Sequence, residues 1–314
     1  MNWNWSFRLV RLFRTDVRIH WTLLAFIIYY VMRGAQHGGG LLFLGLFVML
    51  PYALLLVTVV MHEFGHVFAA RHYGLPVDHI VLTPIGGMAV LGGGSYSPWS
   101  EFVVAACGPA VNLVLAAAGA TAFLALGGPF YTDMLVPLSS RGFVELWSQG
   151  QVGLLLLYDF VQMQMVLFLF NVMMVAYPLD GGRMLFAALW QTKGYRRGLA
   201  VSCKVAKVVA VGMGLAGLVT FSPMLMVIAA FVFLQAVMTQ RQIPLLVEPD
   251  KRHYEALRRQ RKQREAKPGW LENWRAGRQA KMTARAVAKA EREGIHTLTA
   301  QERELLRKRR QRMN

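Results

Sequence analysis

The sequence predicts an all-α polytopic membrane protein with about six transmembrane helices and a small re-entrant β-hairpin. Hydrophobic residues make up 55% of the 314 residues and charged residues only 16%, against about 25% charged in an ordinary soluble protein. Apolar runs near the roughly 20 residues that cross a bilayer recur along the chain. Two cysteines, Cys107 and Cys203, are too few for a disulfide framework or a cysteine-rich metal site. These observations exclude a soluble globule and make the bilayer the expected solvent.

Six apolar segments are candidate spans, and the first is short for a full crossing. They are residues 20–33, 41–71, 101–127, 151–178, 198–221 and 223–240. Between the second and third spans, Val77 to Gly92 holds two short β-prone runs around Pro84 and Gly86-Gly87, which predicts a hairpin dipping into the membrane. Such backbone is tolerated at membrane depth only beside protein or a water-filled cavity. We therefore expect a cavity next to the second span.

Lysine and arginine collect on one side of the predicted spans. With six crossings, the opposite side carries only Arg33 and Arg141. The favoured side carries Arg8, Arg11, Arg14, Arg18, Arg71, Arg183, Lys193, Arg196, Arg197, Lys204, Lys207 and Arg241. Because basic loops stay in the cytoplasm, both termini are predicted to be cytoplasmic, in a multi-pass protein of the cell (inner) membrane. We expect no cleavable signal peptide at the arginine-rich N-terminus.

Charge divides the chain into a membrane core, residues 1–247, and a basic cytoplasmic tail, residues 248–314, predicted to be helical or disordered. The tail holds 20 Lys/Arg and 9 Asp/Glu, a net charge of +11, whereas the core has a net charge of only +6. Its basic runs at 258–264 and 307–310 fit contact with anionic lipid headgroups or with nucleic-acid phosphates. A solvated tail with neither partner is the third interpretation.

The pentapeptide His62-Glu63-Phe64-Gly65-His66 carries the strongest chemical signal. Residues i and i+4 of a helix lie on one face, so both imidazoles can bind one metal ion. The carboxylate between them can hold a water molecule and accept its proton. Ionisable groups within an apolar helix are costly and are functional by default. The pentapeptide therefore predicts a metal site with Glu63 as its base; a hydrogen-bonded pair of neutral histidines is the alternative.

A hydrolytic zinc site needs a third protein ligand and an open position for water, and three residues compete for that role. His72 has the spacing of the metzincin pattern, but Ala69 stands where that pattern needs glycine. Glu101 stands where a helix begins, so it also fits a role against the helix dipole. Asp180 lies between a proline and a glycine pair, at a helix break that can bend it inward. We favour Asp180, with capping of the next helix as its alternative role.

Three segments together resemble the site-2 proteases, a family of intramembrane zinc metalloproteases. They are HEFGH, the GPxxN segment that ends at Asn112, and the PLDGGR segment that contains Asp180. The resemblance runs from about Phe7 to Arg183. It implies that His62, His66 and Asp180 bind Zn²⁺ and that Glu63 is catalytic. It also implies that the hairpin, with Gly86 and Gly87, receives an extended substrate strand.

Two asparagines match family positions that help to hold an unwound substrate, namely Asn112 and Asn171. An amide can satisfy backbone groups that an unwound helix exposes. Residues 170–178 depart from the family pattern, because they lack the proline usual soon after the second asparagine and are one residue longer before Asp180. Interhelical hydrogen bonding is the alternative role for either amide.

The resemblance implies an intramembrane zinc endopeptidase that hydrolyses peptide bonds within or near transmembrane segments of membrane-protein substrates, in regulated intramembrane proteolysis. Its expected partners are a transmembrane protein or peptide substrate and the lipid bilayer, with no organic cofactor. Alternatives are a non-catalytic membrane scaffold or a metal transporter that retains the metal site. A transporter should carry ionisable residues in several spans, and a degenerate scaffold is expected to have lost Glu63.

Overall fold

The chain folds as a bundle of helices with one small β-sheet. The computed structural model describes residues 5–36, 45, 49–84, 86–91, 97–135, 141–246 and 270–313. Its main elements are β1 Ser6–Leu12, β2 Thr15–His20, α1 Trp21–Gln36, α2 Leu50–His72, β3 Val77–Thr83, β4 Gly86–Leu91, α3 Pro98–Ala125, α4 Arg141–Ser148, α5 Val152–Met173, α6 Asp180–Lys193, α7 Tyr195–Val219, α8 Pro223–Gln242, α9 Trp270–Glu293 and α10 Ala300–Met313.

Five of these helices are long and apolar enough to cross a membrane, counted over the described residues. They are α2, α3, α5, α7, and α8 together with the turn that continues it to Leu245. The predicted first span corresponds to α1, whose 16 residues rise about 24 Å at the helical pitch, less than the roughly 30 Å of a hydrocarbon core. Most of residues 41–49, at the start of the predicted second span, lie outside the described residues. The helical polytopic fold is thus confirmed, with α1 as a shorter sixth helix.

The sheet has the strand order β1-β2-β3-β4. β2 and β3 pair in parallel, and the two outer pairs are antiparallel. The β3–β4 hairpin was predicted, apart from Ile85 and Gly92, which lie outside the described residues. Strands β1 and β2 were not predicted, although Val17 and Ile19 alternate with Asp16 and Arg18 in the period-2 pattern of a half-buried strand.

Tertiary contacts hold the β1–β2 turn in place. Phe13 and Arg14 have φ of 45° and 61°, a region that non-glycine residues rarely adopt. Arg71, in the last turn of α2, donates hydrogen bonds to the backbone oxygens of both residues. The ring of Phe13 packs edge-on against Phe64, with ring centroids 5.4 Å apart. The turn therefore depends on α2, which explains why no local turn signal predicts it.

The break between α5 and α6 aims the first residue of α6 back toward α2. The predicted span 151–178 ends as a helix at Met173, and residues 174–179 are not helical. A Cβ atom on Gly181 would lie 2.6 Å from the backbone oxygen of Val172, and one on Gly182 would overlap the backbone of Tyr177. The glycine pair thus lets α6 begin directly against the end of α5, which places Asp180 inside the bundle.

Contacts between Cα atoms divide the chain into two compact units, Met1–Tyr254 and Glu255–Asn314. In the second unit, the packing of α9 and α10 buries Ala286 and Leu298. The basic run at 258–264 lies outside the described residues. Contact of the tail with anionic lipid or nucleic acid stays a prediction.

Candidate metal centre

The two histidines of HEFGH and Asp180 meet within the bundle although 114 residues of sequence separate His66 from Asp180. All three side chains, and that of Glu63, belong to residues that are at most 8% exposed. The Nε2 atom of His62 lies 3.1 Å from Asp180 Oδ2 and 3.1 Å from His66 Nε2. The Nε2 atom of His66 lies 3.3 Å from Asp180 Oδ1. Two nitrogen atoms and a carboxylate therefore converge on one point.

Hydrogen bonds on the far side of each ring fix which nitrogen faces that point. His62 Nδ1–H donates to Asn112 Oδ1 at 2.6 Å, and His66 Nδ1–H donates to the backbone oxygen of Val104 at 2.7 Å. Since both acceptors are oxygens, both protons lie on Nδ1 and both Nε2 atoms present lone pairs. Such outward hydrogen bonds are typical of metal-binding histidines.

The convergent atoms fit a zinc ion. Two Nε2 lone pairs and a carboxylate at 3.1–3.3 Å from one another repel each other unless a cation lies among them. Zinc binds such ligands at about 2.0–2.1 Å in a tetrahedral arrangement, which spaces the ligand atoms roughly 3.3 Å apart. Both the spacing and the chemistry of the donors therefore suit Zn²⁺.

The other two candidate ligands lie elsewhere. His72 is exposed at the end of α2, where its ring packs edge-on against Tyr73 with ring centroids 5.3 Å apart. Glu101, in the first turn of α3, accepts a hydrogen bond from Arg183 Nε at 2.8 Å. Of the three candidates, the structure brings only Asp180 against the two histidines.

The ion pair between the buried Glu101 and the half-buried Arg183 lies next to Asp180 and ties the first turn of α6 to that of α3. Burial alone would lower the pKa of Arg183, but the carboxylates of Glu101 and Asp180 outweigh that effect and raise it above its ordinary value. The guanidinium of Arg183 therefore stays charged. In the sequence, the available signal for this ion pair was the acidic residue Glu101 in the first turn of α3.

The edge strand β4 lies directly over Glu63. The Glu63 Oε2 atom accepts a hydrogen bond from the backbone N–H of Ala89 at 2.8 Å. A Cβ atom on Gly87 would lie only 2.5 Å from Glu63 Cγ, so the glycine is needed for this close approach. Because the N–H of Ala89 points at Glu63 and not at β3, the outer edge of β4 faces the site.

A cavity of about 200 Å³ opens onto this centre. Its walls include the two histidines, Glu63, Asp180, Gly86 and Gly87, with Leu167, Phe170 and Asn171 from α5. The side chain of Asn171 donates a hydrogen bond to the backbone oxygen of Leu167 at 3.0 Å. A larger cavity, of about 420 Å³, lies around Trp147 and Asp159 and contains none of the predicted site residues, so volume alone does not locate the site.

Asn112 is not among the residues that line the cavity at the metal centre, and its contact with substrate stays a prediction. Its side chain is 0% exposed. Its oxygen accepts from His62, and its nitrogen donates to Gln164 Oε1 at 3.0 Å. Both ends of the amide are thus engaged behind His62, which is the interhelical hydrogen bonding that the sequence offers as its alternative role.

Two glycines that the sequence analysis did not single out permit the close packing of α2 on α3. A Cβ atom on Gly108 would overlap His66 and lie 2.7 Å from His62 Nε2. A Cβ atom on Gly65 would lie 2.5 Å from the backbone oxygen of Cys107. The sequence does carry a signal for this close packing, because small residues within apolar helices are typical of the places where two such helices cross.

Comparisons with known proteins give matches to zinc metalloproteases. The profile of Peptidase family M50 matches residues 51–216, more than half of the chain. A zinc metalloprotease of Methanocaldococcus jannaschii is 27% identical over 240 residues, which cover 76% of this chain and 62% of that protein. A putative zinc metalloprotease of Synechocystis is 34% identical over 54% of this chain and 40% of its own length. The putative zinc metalloprotease Rip3 of Mycobacterium tuberculosis is 32% identical, and the match covers 52% of this chain and 38% of that protein.

A solved structure shares the fold. The Site-2 Protease from Methanocaldococcus jannaschii superposes with a TM-score of 0.54 at 24% sequence identity, and the match covers 78% of this chain and 98% of that chain. The curated relatives extend beyond the matched region, since the chain spans between 38% and 62% of their length.

Proposed function

Because the chain belongs to peptidase family M50, we propose that it is an intramembrane zinc endopeptidase that cleaves membrane proteins within or near their transmembrane segments. One observation carries the proposal: the paired Nε2 atoms of His62 and His66 converge with Asp180 beside the carboxylate of Glu63. The two histidines and Glu63 lie on α2, a helix long and apolar enough to cross a membrane. The site therefore suits hydrolysis within the bilayer.

His62, His66 and Asp180 would hold the zinc ion in this proposal. A bound Zn²⁺ supplies a Lewis acid that polarises a carbonyl oxygen and makes water more acidic. Glu63 accepts the proton of the attacking water and then donates it to the leaving amine, as a general base followed by a general acid. The Ala89 N–H bond engages one oxygen of Glu63, which leaves the other for the water.

The substrate would bind as an extended strand along the outer edge of β4. A helical carbonyl is hydrogen-bonded and shielded, so a transmembrane substrate must first unwind at the scissile bond. Strand addition to an edge satisfies the backbone groups that unwinding exposes. Gly86 and Gly87 lie on this edge, and Asn171 lies on the wall of the same cavity, within the region where the strand would lie.

The scaffold and transporter alternatives have less support. Glu63 is retained and held by β4, which a purely structural metal site does not require. Among the buried histidine, aspartate and glutamate side chains of the described region, all except Asp133 belong to the metal centre or to Glu101 in the neighbouring ion pair. A route across the membrane would need such groups along several spans.

The membrane topology is a further part of this proposal. Six crossings, with α1 as the first, would place both termini in the cytoplasm, as the distribution of basic residues predicts. Five crossings would place them on opposite sides. Accessibility of the two termini to a membrane-impermeant probe in intact cells distinguishes these arrangements.

Metal removal tests the proposed function. The full-length protein in lipid vesicles, with a single-pass membrane substrate, is expected to cleave within or near the apolar segment. Stripping the protein with a chelator should abolish the cut, and stoichiometric Zn²⁺ should restore it. Mass spectrometry of the fragments locates the cleaved bond. Cleavage that persists in zinc-free protein, or that occurs only in soluble polypeptides, would contradict the proposal.

The zinc content of two variants tests the third ligand. Asp180→Ala removes a carboxylate that touches both histidines, so we expect purified protein to lose most of its zinc. His72→Ala alters an exposed side chain at the end of the same helix and should keep the zinc content of the wild type. Zinc lost from the His72 variant alone would reverse the assignment.

A further inference from the structure

Four buried polar side chains form a continuous hydrogen-bonded series, here called the polar chain, that starts at His62 and returns to the same helix at Thr58. His62 Nδ1–H donates to Asn112 Oδ1 at 2.6 Å, and Asn112 Nδ2 donates to Gln164 Oε1 at 3.0 Å. Gln164 Nε2 then donates to Thr58 Oγ1 at 2.8 Å. Asn112 and Gln164 are 0% exposed and Thr58 is 2% exposed. The polar chain therefore crosses from α2 to α3, to α5 and back through the buried interior of the bundle.

Burial leaves the polar chain only two consistent directions. An amide nitrogen donates and does not accept, whereas an amide oxygen accepts and does not donate. Turning over one amide would oppose two donors or two acceptors, and unmatched polar groups are costly in a low-dielectric interior. The amides of Asn112 and Gln164 must therefore turn together or not at all.

The direction of the polar chain decides which nitrogen of His62 carries the proton. In the observed direction, the Asn112 oxygen faces His62 and requires a proton on Nδ1. The Nε2 lone pair then points at His66 and Asp180. In the opposite direction, the Asn112 nitrogen would face Nδ1, and the proton would move to Nε2. A protonated Nε2 cannot bind a cation.

We propose that Gln164 and Thr58 are positioning residues that fix this direction and so keep Nε2 of His62 available to the metal. The inference rests on the proposed zinc site and adds to it two residues, Gln164 and Thr58, that are not among its metal ligands. Thr58 ends the polar chain, because its hydroxyl oxygen accepts from Gln164 Nε2 at 2.8 Å. With this bond in place, the Asn112 amide cannot turn over unless the Gln164 amide and the Thr58 hydroxyl turn with it.

Zinc affinity of the full-length protein in detergent, measured by competition with a chelator, tests the role of Gln164. Gln164→Met keeps the length of the side chain but removes the acceptor for Asn112. We expect zinc to bind about 10-fold more weakly, the lower end of the range for lost partners of metal-binding histidines, because Gln164 acts on His62 through Asn112. The matched control is Gln162→Met, the same change on the same helix. Gln162 bonds to Tyr158 and Asp133 instead, so its affinity should stay within about twofold of the wild type.

A double-mutant cycle with Asn112→Asp separates positioning from general stability. A carboxylate accepts from His62 Nδ1–H whichever way it turns, because it has no donor end. In the Asn112→Asp background, the direction of the polar chain no longer matters, so Gln164→Met should change zinc affinity by no more than about twofold. If Gln164 merely stabilised the bundle, its replacement would cost the same in both backgrounds.

Three results would overturn the inference: wild-type zinc affinity in Gln164→Met, an equal loss in Gln162→Met, or an equal cost in both backgrounds. If Gln164→Met does not yield folded protein, the nearly isosteric Thr58→Val takes its place in the same cycle. Unchanged zinc affinity in Thr58→Val would then overturn the inference. None of these measurements uses cleavage. A wild-type protein that binds zinc but cleaves nothing would refute the proposed peptidase without deciding the role of Gln164.

Discussion

Glu63→Gln is expected to abolish cleavage while the protein keeps its zinc. Glutamine is the same length and its side-chain oxygen can still accept from Ala89 N–H, so the hairpin should stay in place. The amide cannot accept a proton from water, however, and loss of a positioned general base typically lowers the rate by about 10²- to 10⁴-fold. Cleavage of a transmembrane substrate in vesicles, measured alongside zinc content, checks both halves of this expectation.

The control for this change is Glu145→Gln, which alters an exposed carboxylate on α4, away from the metal centre. It should leave both zinc content and cleavage unchanged. Full activity in Glu63→Gln would exclude this carboxylate as the proton acceptor. Loss of zinc together with activity would instead make it a structural part of the metal centre.

The sequence could predict the part of the centre that lies on one helix. His62 and His66 stand four residues apart, so helical geometry alone brings them to one face. The family was also predicted from HEFGH, GPxxN and PLDGGR, and the profile match to residues 51–216 confirms it.

The remainder of the site depends on contacts between distant segments. The pattern favoured Asp180 over Glu101, because Asp180 lies between a proline and a glycine pair, but it could not show which carboxylate reaches the histidines. The choice follows from the packing of Gly181 against α5 and from the pairing of Glu101 with Arg183. Asn112 was identified as a candidate, but no sequence pattern states on which side of His62 it lies. The β1–β2 turn likewise depends on Arg71, more than fifty residues away.

Gly108→Ala is expected to remove zinc without altering any proposed ligand. The added methyl group would overlap His66 and lie 2.7 Å from His62 Nε2, within the space that the metal requires. Flexible side chains cannot absorb the overlap, because both rings are held on their far sides by Asn112 and Val104. We expect zinc affinity to fall by at least about 100-fold, the upper end of the range for disturbed histidine partners. Chelator competition measures the loss.

Gly212→Ala is the matched control, since Gly212 also lies within an apolar helix but has no atom within 4 Å of the added Cβ. It makes the same chemical change in α7 and should leave zinc affinity and cleavage unaltered. A folded Gly108→Ala protein that binds zinc as tightly as the wild type would mean that the two rings can move apart by the width of a methyl group. The metal centre would then be adaptable, and the close packing of α3 against α2 would not be what sets the spacing of its ligands.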